Sequence, residues 1–478
     1  MKRLTFILTS LIITSVFVFV GSAAFAASDS VTSHQAASSI CLRTVTVTSG
    51  AALAGAATSA LPGDCIVVAN GSYTGLTLGR SGTAAHPIMF EAQNLLQATF
   101  TSSVVLTGSY VTLQGFHFGG SGNVRFSSTT GSRVTRCLFN STKGGHFIEL
   151  AGNGNNGNRI DHSELGPQTQ PAVSEIFVGG GSLVAQNTQI DHNYFHDVKP
   201  GPNNTNTIQL GISSAFQFQN EHSIVEYNLF VRCSGENEMI EVKSGMNIVR
   251  YNTMHANSGY ISLREGNANT VYGNFVFGDG VVGAGGIRMW GNDHVIYNNY
   301  IDSHDTALEL GSGDPHPVPT SHFPLIRPTI VNNTFISEST SAVTLSNVRP
   351  VAPDHMIFAN NIAIDGHGTV MNFQVKPTNS TYADNIVHPL AGATAGVTAT
   401  PGQWLIEDPR LVADSAGVQE PVTGSPAIRA GSSANSSLVT DDVFGRARPS
   451  SPTIGAVEFG SGGTRHPLTT ADVGPASP

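Results

Sequence analysis

The sequence predicts an all-β chain, a single solenoid of stacked coils with a cap at its N-terminal end. Three observations carry this. From about residue 110 a phrase recurs in which alternating apolar residues lead to a small residue or Asn, followed by an aromatic or aliphatic pair. Its anchor positions are Gly115, Cys137, Ser163, Asn193, Asn228, Asn252, Asn274, Asn299, Asn333, Asn361 and Asn385, at steps of 22, 26, 30, 35, 24, 22, 25, 34, 28 and 24 residues. Such a period combined with β-type alternation marks a solenoid, whose coils cannot bury their apolar faces alone and stack on one another. Finally, 52 glycines and a charged fraction of 12% suit a long, turn-rich unit.

The elements follow in chain order. Met1-Lys2-Arg3, an apolar run from Leu4 to Val20 and Ala24-Phe25-Ala26 read as a secretory signal over residues 1–26, so a secreted product, extracellular or periplasmic, is expected. Ala51–Ala60 is a short Ala-rich helix candidate ahead of Pro62-Gly63-Asp64, placed to close the open end of the core. The β-solenoid domain is expected to run from 27 to 460. Within it the long steps 193–228 and 299–333 mark coils with extruded loops, which often form a solenoid's binding side. Recurrent asparagines fit a turn and a column of stacked amides, and are read as structural. Residues 461–478 read as a flexible tail. Of the four cysteines, Cys41 and Cys65 are placed to pair, whereas Cys137 and Cys233 read as small buried residues.

Charge narrows the partners. Without Lys2 and Arg3, 23 basic residues become 21 against 33 acidic ones, a net of −12 for the mature part. A chain this acidic is no general binder of nucleic acid or anionic membrane, so any polyanion must meet a local basic cluster. That cluster lies in the stretch Glu236-Asn237-Glu238 to Lys243-Ser244, with Arg264 twenty-one residues after the lysine. This separation nearly equals the local coil steps, which puts Lys243 and Arg264 on adjacent coils about 4.8 Å apart. Glu236 and Glu238 are plausible oxygen ligands for a hard cation, and the upstream Asn203-Asn204-Thr205-Asn206 loop offers an amide oxygen. A cation, an amine and a guanidinium together suit proton abstraction beside a sugar carboxylate, followed by expulsion of the oxygen at C4: a β-elimination.

This arrangement resembles the polysaccharide lyase family of alginate lyases and chondroitinase B. The shared segments are Glu226-Tyr227-Asn228, Glu236-x-Glu238 with Lys243-Ser244, Leu263-Arg264-x-Gly266 and Gly286-Ile287-Arg288-Met289-Trp290-Gly291. The resemblance implies a right-handed parallel β-helix, Lys243 as base, Arg264 as acid, and Ca2+ held by Asn203, Glu236 and Glu238, with Asn204 or Asn206 as alternatives to Asn203. The family commonly has Arg where Gln209 stands and His where Glu265 stands, which leaves subsite preference open. Arg288 and Trp290, one coil further, are candidates for binding a uronate carboxylate and a sugar face. The alternative is a core Trp covered by its Arg. Asp314-Pro315-His316 reads as a loop, and His162 and His192 as structural. The expected function is cleavage of a uronate polysaccharide, alginate first. A chondroitin or dermatan lyase, or a non-catalytic carbohydrate-binding β-helix, are the alternatives.

Overall fold

Each coil contributes three short parallel strands, and equivalent strands of successive coils pair into three long sheets. A computed structural model describes residues 41–142, 144–170, 174–199, 205–213 and 216–478. The expected signal segment and Asn203 lie outside these residues. Among the described residues the first sheet runs through 14 strands from Arg43–Val47 to Thr381–Ala383, and the second through 14 from Gly71–Tyr73 to Trp404–Ile406. The third has 12, from Thr77–Leu78 to Met371–Phe373. All three are parallel, so the expected parallel β-solenoid is what forms. The inward columns are aliphatic: Ile208, Ile240, Ile261, Ile287 and Leu308 sit in register one above another. Each buried side chain of this size contributes roughly 1.5–3 kcal/mol, and the repeat multiplies that gain rung by rung.

The helix forms at Gly50–Ser59, capped by the Ser49 hydroxyl accepting from Ala52 N, and buries Leu53 and Ala57 at the first rungs. Cys41 and Cys65 are disulfide-bonded, and Cys137 and Cys233 are free and buried. No helix among the described residues is long and apolar enough to cross a membrane.

The asparagine column is a continuous amide ladder. Asn193 Nδ2 donates to Asn228 Oδ1 at 3.0 Å, Asn228 to Asn252 at 3.0 Å, and Asn252 to Asn274 at 3.0 Å, and the chain of bonds continues to Asn385. The left-handed backbone angle belongs not to these residues but to the one before each, such as Tyr227 (φ 51°) and Tyr251 (φ 56°). That kink turns the chain from the first sheet into the second and aims the following amide inward. Asn252 Oδ1 accepts from both the backbone N and the Nδ2 of Asn228, while its own Nδ2 donates to Val225 O. Because each buried group left without a partner costs about 1–3 kcal/mol, Asn252→Ala is expected to lower stability by about 3 kcal/mol or more, read as a shifted denaturant midpoint at unchanged slope.

Residues 461–478, expected to be a loose tail, are instead packed back on the solenoid. Val473 is buried, Gly474 N donates to His192 O, and Arg136 donates to Pro475 O and Ser477 O. The preceding segment covers the second sheet, where Phe275, Tyr300, Ile362 and Ile386 meet Val418, Phe444 and Ile454 in a second apolar cluster. An outward sheet face that carries Phe and Ile needs such a cover, which a Pro/Ser/Gly-rich composition does not reveal.

Candidate functional site

The outer face of the third sheet gathers the charged residues, and two of the three breaks in strand register along Ser234–Lys243 decide which side chains reach it. The strand Ser234–Lys243 pairs with Asn206–Leu210 on one side and Ser258–Glu265 on the other. In a regular strand Glu236 and Glu238 would share one face, and Glu241 and Lys243 the opposite one. The register breaks between Glu238 and Ile240, and Met239 and Ile240 both turn into the core. Two consecutive inward residues reset the alternation, so Glu238, Glu241 and Lys243 all face outward. Gly235 permits the approach that precedes the break, since a Cβ there would stand 2.1 Å from Glu238 O. The second break follows Val242: Val242 pairs with Leu263 but Lys243 with Glu265, so Arg264 is the extra residue and bulges beside the lysine.

The structure thus brings Lys243, Arg264, Glu238 and Arg288 onto neighbouring rungs of one face, with Gln209, Glu241, Ser262, Arg288 and Glu309 forming a single column. Lys243 is only 6% exposed and its Nζ lies 2.5 Å from Glu241 Oε1. Glu241 Oε2 in turn accepts from Asn206 Nδ2 at 2.8 Å. Burial pushes the Glu238 carboxyl up; Arg288, with NH1 3.6 Å from Oε1, and Lys243 oppose this, and the negative charges of Glu241 and Glu236 add to it. Glu236 stands exposed at the rim, on the segment bulged out ahead of Glu238.

Arg264 is half-buried. Burial pulls its guanidinium down from the ordinary arginine range, against the nearby Glu265, Glu238 and Glu241 carboxylates. Its carbon Cζ lies 5.9 Å from the Trp290 ring and NH1 donates to Ser321 O at 3.4 Å. Of the two readings open for Trp290, a sugar-binding face or a buried Trp covered by its Arg, the structure shows the second. Trp290 is 3% exposed, donates to Ser312 O at 3.1 Å, carries Arg288 at 4.7 Å and meets the His322 ring edge-on at 4.8 Å. It is a core side chain that positions two guanidinium groups by cation–π attraction. Arg288 also lies 5.8 Å from the Tyr260 ring, which lines the same face.

Several site residues were not picked out by sequence reading. His322 comes from the long loop of the 299–333 step, and burial together with Arg264, Arg349 and Arg288 pushes it down to about 3, leaving it neutral. Asp314, in the Asp-Pro-His stretch, accepts from His322 N and pairs with Arg349 at 3.4 Å, so it staples the loop. The extruded-loop signal did find this side of the site, but not the individual residues. Among the described residues, three His, Cys, Asp or Glu ligand atoms lie within 4.8 Å of one another at His162, Asp191 and His192. There Asp191 is held by Arg159 at 2.6 Å, each imidazole Nδ1 is bonded to the Asp before it, and the rings stack at 4.9 Å. That stack continues through Tyr227 and Tyr251 as an external ladder, so both histidines are structural.

The residues present suit a hard cation beside Lys243. Asn206 is 2% exposed, and while its Nδ2 is bonded, its Oδ1 is buried without a partner. Asn203, the asparagine expected for this place, is outside the described residues. An orphaned amide oxygen beside carboxylates is the donor chemistry that Ca2+ takes.

Comparisons with known proteins agree with the fold. The alginate lyase AlyGC, of polysaccharide lyase family 6, superposes with a TM-score of 0.69 at 24% identity, over 80% of this chain and 55% of its own. This chain therefore spans about half of that enzyme's length. A mannuronic acid-specific family 6 lyase from the human gut microbiota gives 0.63 at 24% identity, over 73% of this chain and 87% of its own. A family 6 polysaccharide lyase from Pseudopedobacter saltans gives 0.62 at 19% identity, over 90% and 98%. No curated protein matches. The chondroitinase B family model matches residues 47–366, which include every site residue described above. With two thirds of its length matched to that model, the chain belongs to the chondroitinase B family of polysaccharide lyases.

Proposed function

We propose that this protein is a secreted lyase that cleaves a uronate polysaccharide, alginate foremost, by β-elimination. The observation that carries the reading is the adjacency of Lys243 and Arg264 on paired strands, beside an acidic cradle. Lys243 takes the proton α to the sugar carboxylate. The electron pair left behind forms the C4–C5 double bond as the C4–O bond breaks, and the departing oxygen receives its proton from Arg264. A guanidinium made more acidic by burial is suited to that donation. Arg288, held over Trp290, is placed to bind a substrate carboxylate. Asn206, Glu236 and Glu238 would hold Ca2+, which when bound neutralises the substrate carboxylate and eases loss of the neighbouring proton. The likeness to AlyGC and to the mannuronate-specific enzyme supports alginate over chondroitin or dermatan. Export is supported by the N-terminal apolar run and the Cys41–Cys65 disulfide.

Defined alginate, chondroitin and pectate polymers should separate the readings. A rise in absorbance near about 235 nm from the new double bond is expected with alginate. No rise with any of them would leave a carbohydrate-binding module instead. Exhaustive chelation should abolish most of the rate, and calcium should restore it; a rate indifferent to chelator would remove the cation from the reaction.

A further inference from the structure

Glu241 has no part in the chemistry assigned above, yet both of its carboxylate oxygens are engaged on this face. It is 5% exposed, and its two oxygens reach Lys243 Nζ and Asn206 Nδ2 respectively. The same Asn206 amide carries the buried oxygen that lacks a partner. Glu241 therefore stands immediately beside the position at which an electropositive group is called for. Hard cations of the calcium type take six to eight oxygens, more than one amide and two carboxylates supply. Glu236 is exposed at the rim, whereas Glu241 already lies inside. Two demands fall on this one carboxylate. Lys243 Nζ must leave its pair before it can reach a substrate, and a divalent charge attracts a carboxylate about twice as strongly as an ammonium at equal distance.

We propose that Glu241 is a shared ligand: it holds Lys243 as seen here and turns an oxygen onto the divalent cation when one binds, so that loading the cation and opening the lysine pair are one event. This rests on the cation-assisted reading above and assigns a fourth protein side chain to the cation. It also gives the site an order of assembly, in which the base is released only where the cation is in place to neutralise the substrate.

Calorimetric titration of the full chain with calcium alone tests the assignment. Glu241→Asp keeps the charge but withdraws the oxygens by one methylene, and is expected to bind calcium about tenfold more weakly or worse. Glu241→Gln keeps the shape and removes the charge, and should lose at least as much; it carries the test if the aspartate variant does not fold, as judged by thermal unfolding in chelator. If the aspartate variant binds like wild type while the glutamine variant is weaker, Glu241 acts only as a distant charge and the assignment falls. It falls equally if both bind like wild type. A wild-type chain that binds no calcium would instead sink the cation reading itself, a result distinguishable from either of these.

Discussion

Lys243→Ala is expected to lower turnover of alginate by about a thousandfold or more, within the range of a lost general base, while the polymer still binds. The reason is positional. Lys243 Nζ is the amine on the face that Arg264, Arg288 and Glu238 share, and it is held inside the site rather than in solvent. Truncation also leaves Glu241 as a buried carboxylate without its ion-pair partner, a loss that typically costs about 3–5 kcal/mol. A fall in activity could then be confused with a fall in stability. The double variant Lys243→Ala/Glu241→Gln removes the unpaired charge and should recover much of the melting temperature without recovering turnover. If the single variant retains substantial turnover, or the double variant regains it, Lys243 is not the base. Binding is read separately, by titration with intact polymer, because a group acting only in the transition state changes kcat and leaves affinity alone.

Arg264→Ala should lower kcat by about a hundred- to ten-thousandfold as a lost general acid, and Arg264→Lys should recover little of it. The guanidinium is fixed by its stack over Trp290 and its bond to Ser321 O, a planar geometry that an ammonium does not reproduce. The decisive comparison uses a uronate substrate carrying an acidic phenol at C4. Such a leaving group departs without protonation, so it should rescue Arg264→Ala but not Lys243→Ala. Rescue of both, or of neither, would overturn the division of labour between the two residues.

The same pair shows how far the sequence could be read. A separation of 21 residues set against coil steps of 24 and 22 was enough to place Lys243 and Arg264 on adjacent rungs, because a solenoid turns sequence distance into vertical neighbourhood. The amide ladder was legible for the same reason: its asparagines recur at one point of every coil. What a repeat cannot show is which way a side chain points once the alternation is interrupted. Strict alternation would turn both Glu241 and Lys243 away from Glu236 and Glu238, whereas the interrupted strand turns Glu238, Glu241 and Lys243 outward together, and of the two readings open for Trp290 the buried one, covered by its Arg, is the one that forms.

The order of the coils, the column of asparagines and the rungs on which the amine and the guanidinium sit were thus determined by the sequence alone, through its period. The tertiary structure decided the face. Single extra residues at Met239 and Arg264 shift the pleat by half a repeat, and the loop bearing His322 folds back from a later coil. Neither leaves a mark on the period, because each is settled by which side chains the core can bury and which polar atoms must still find partners.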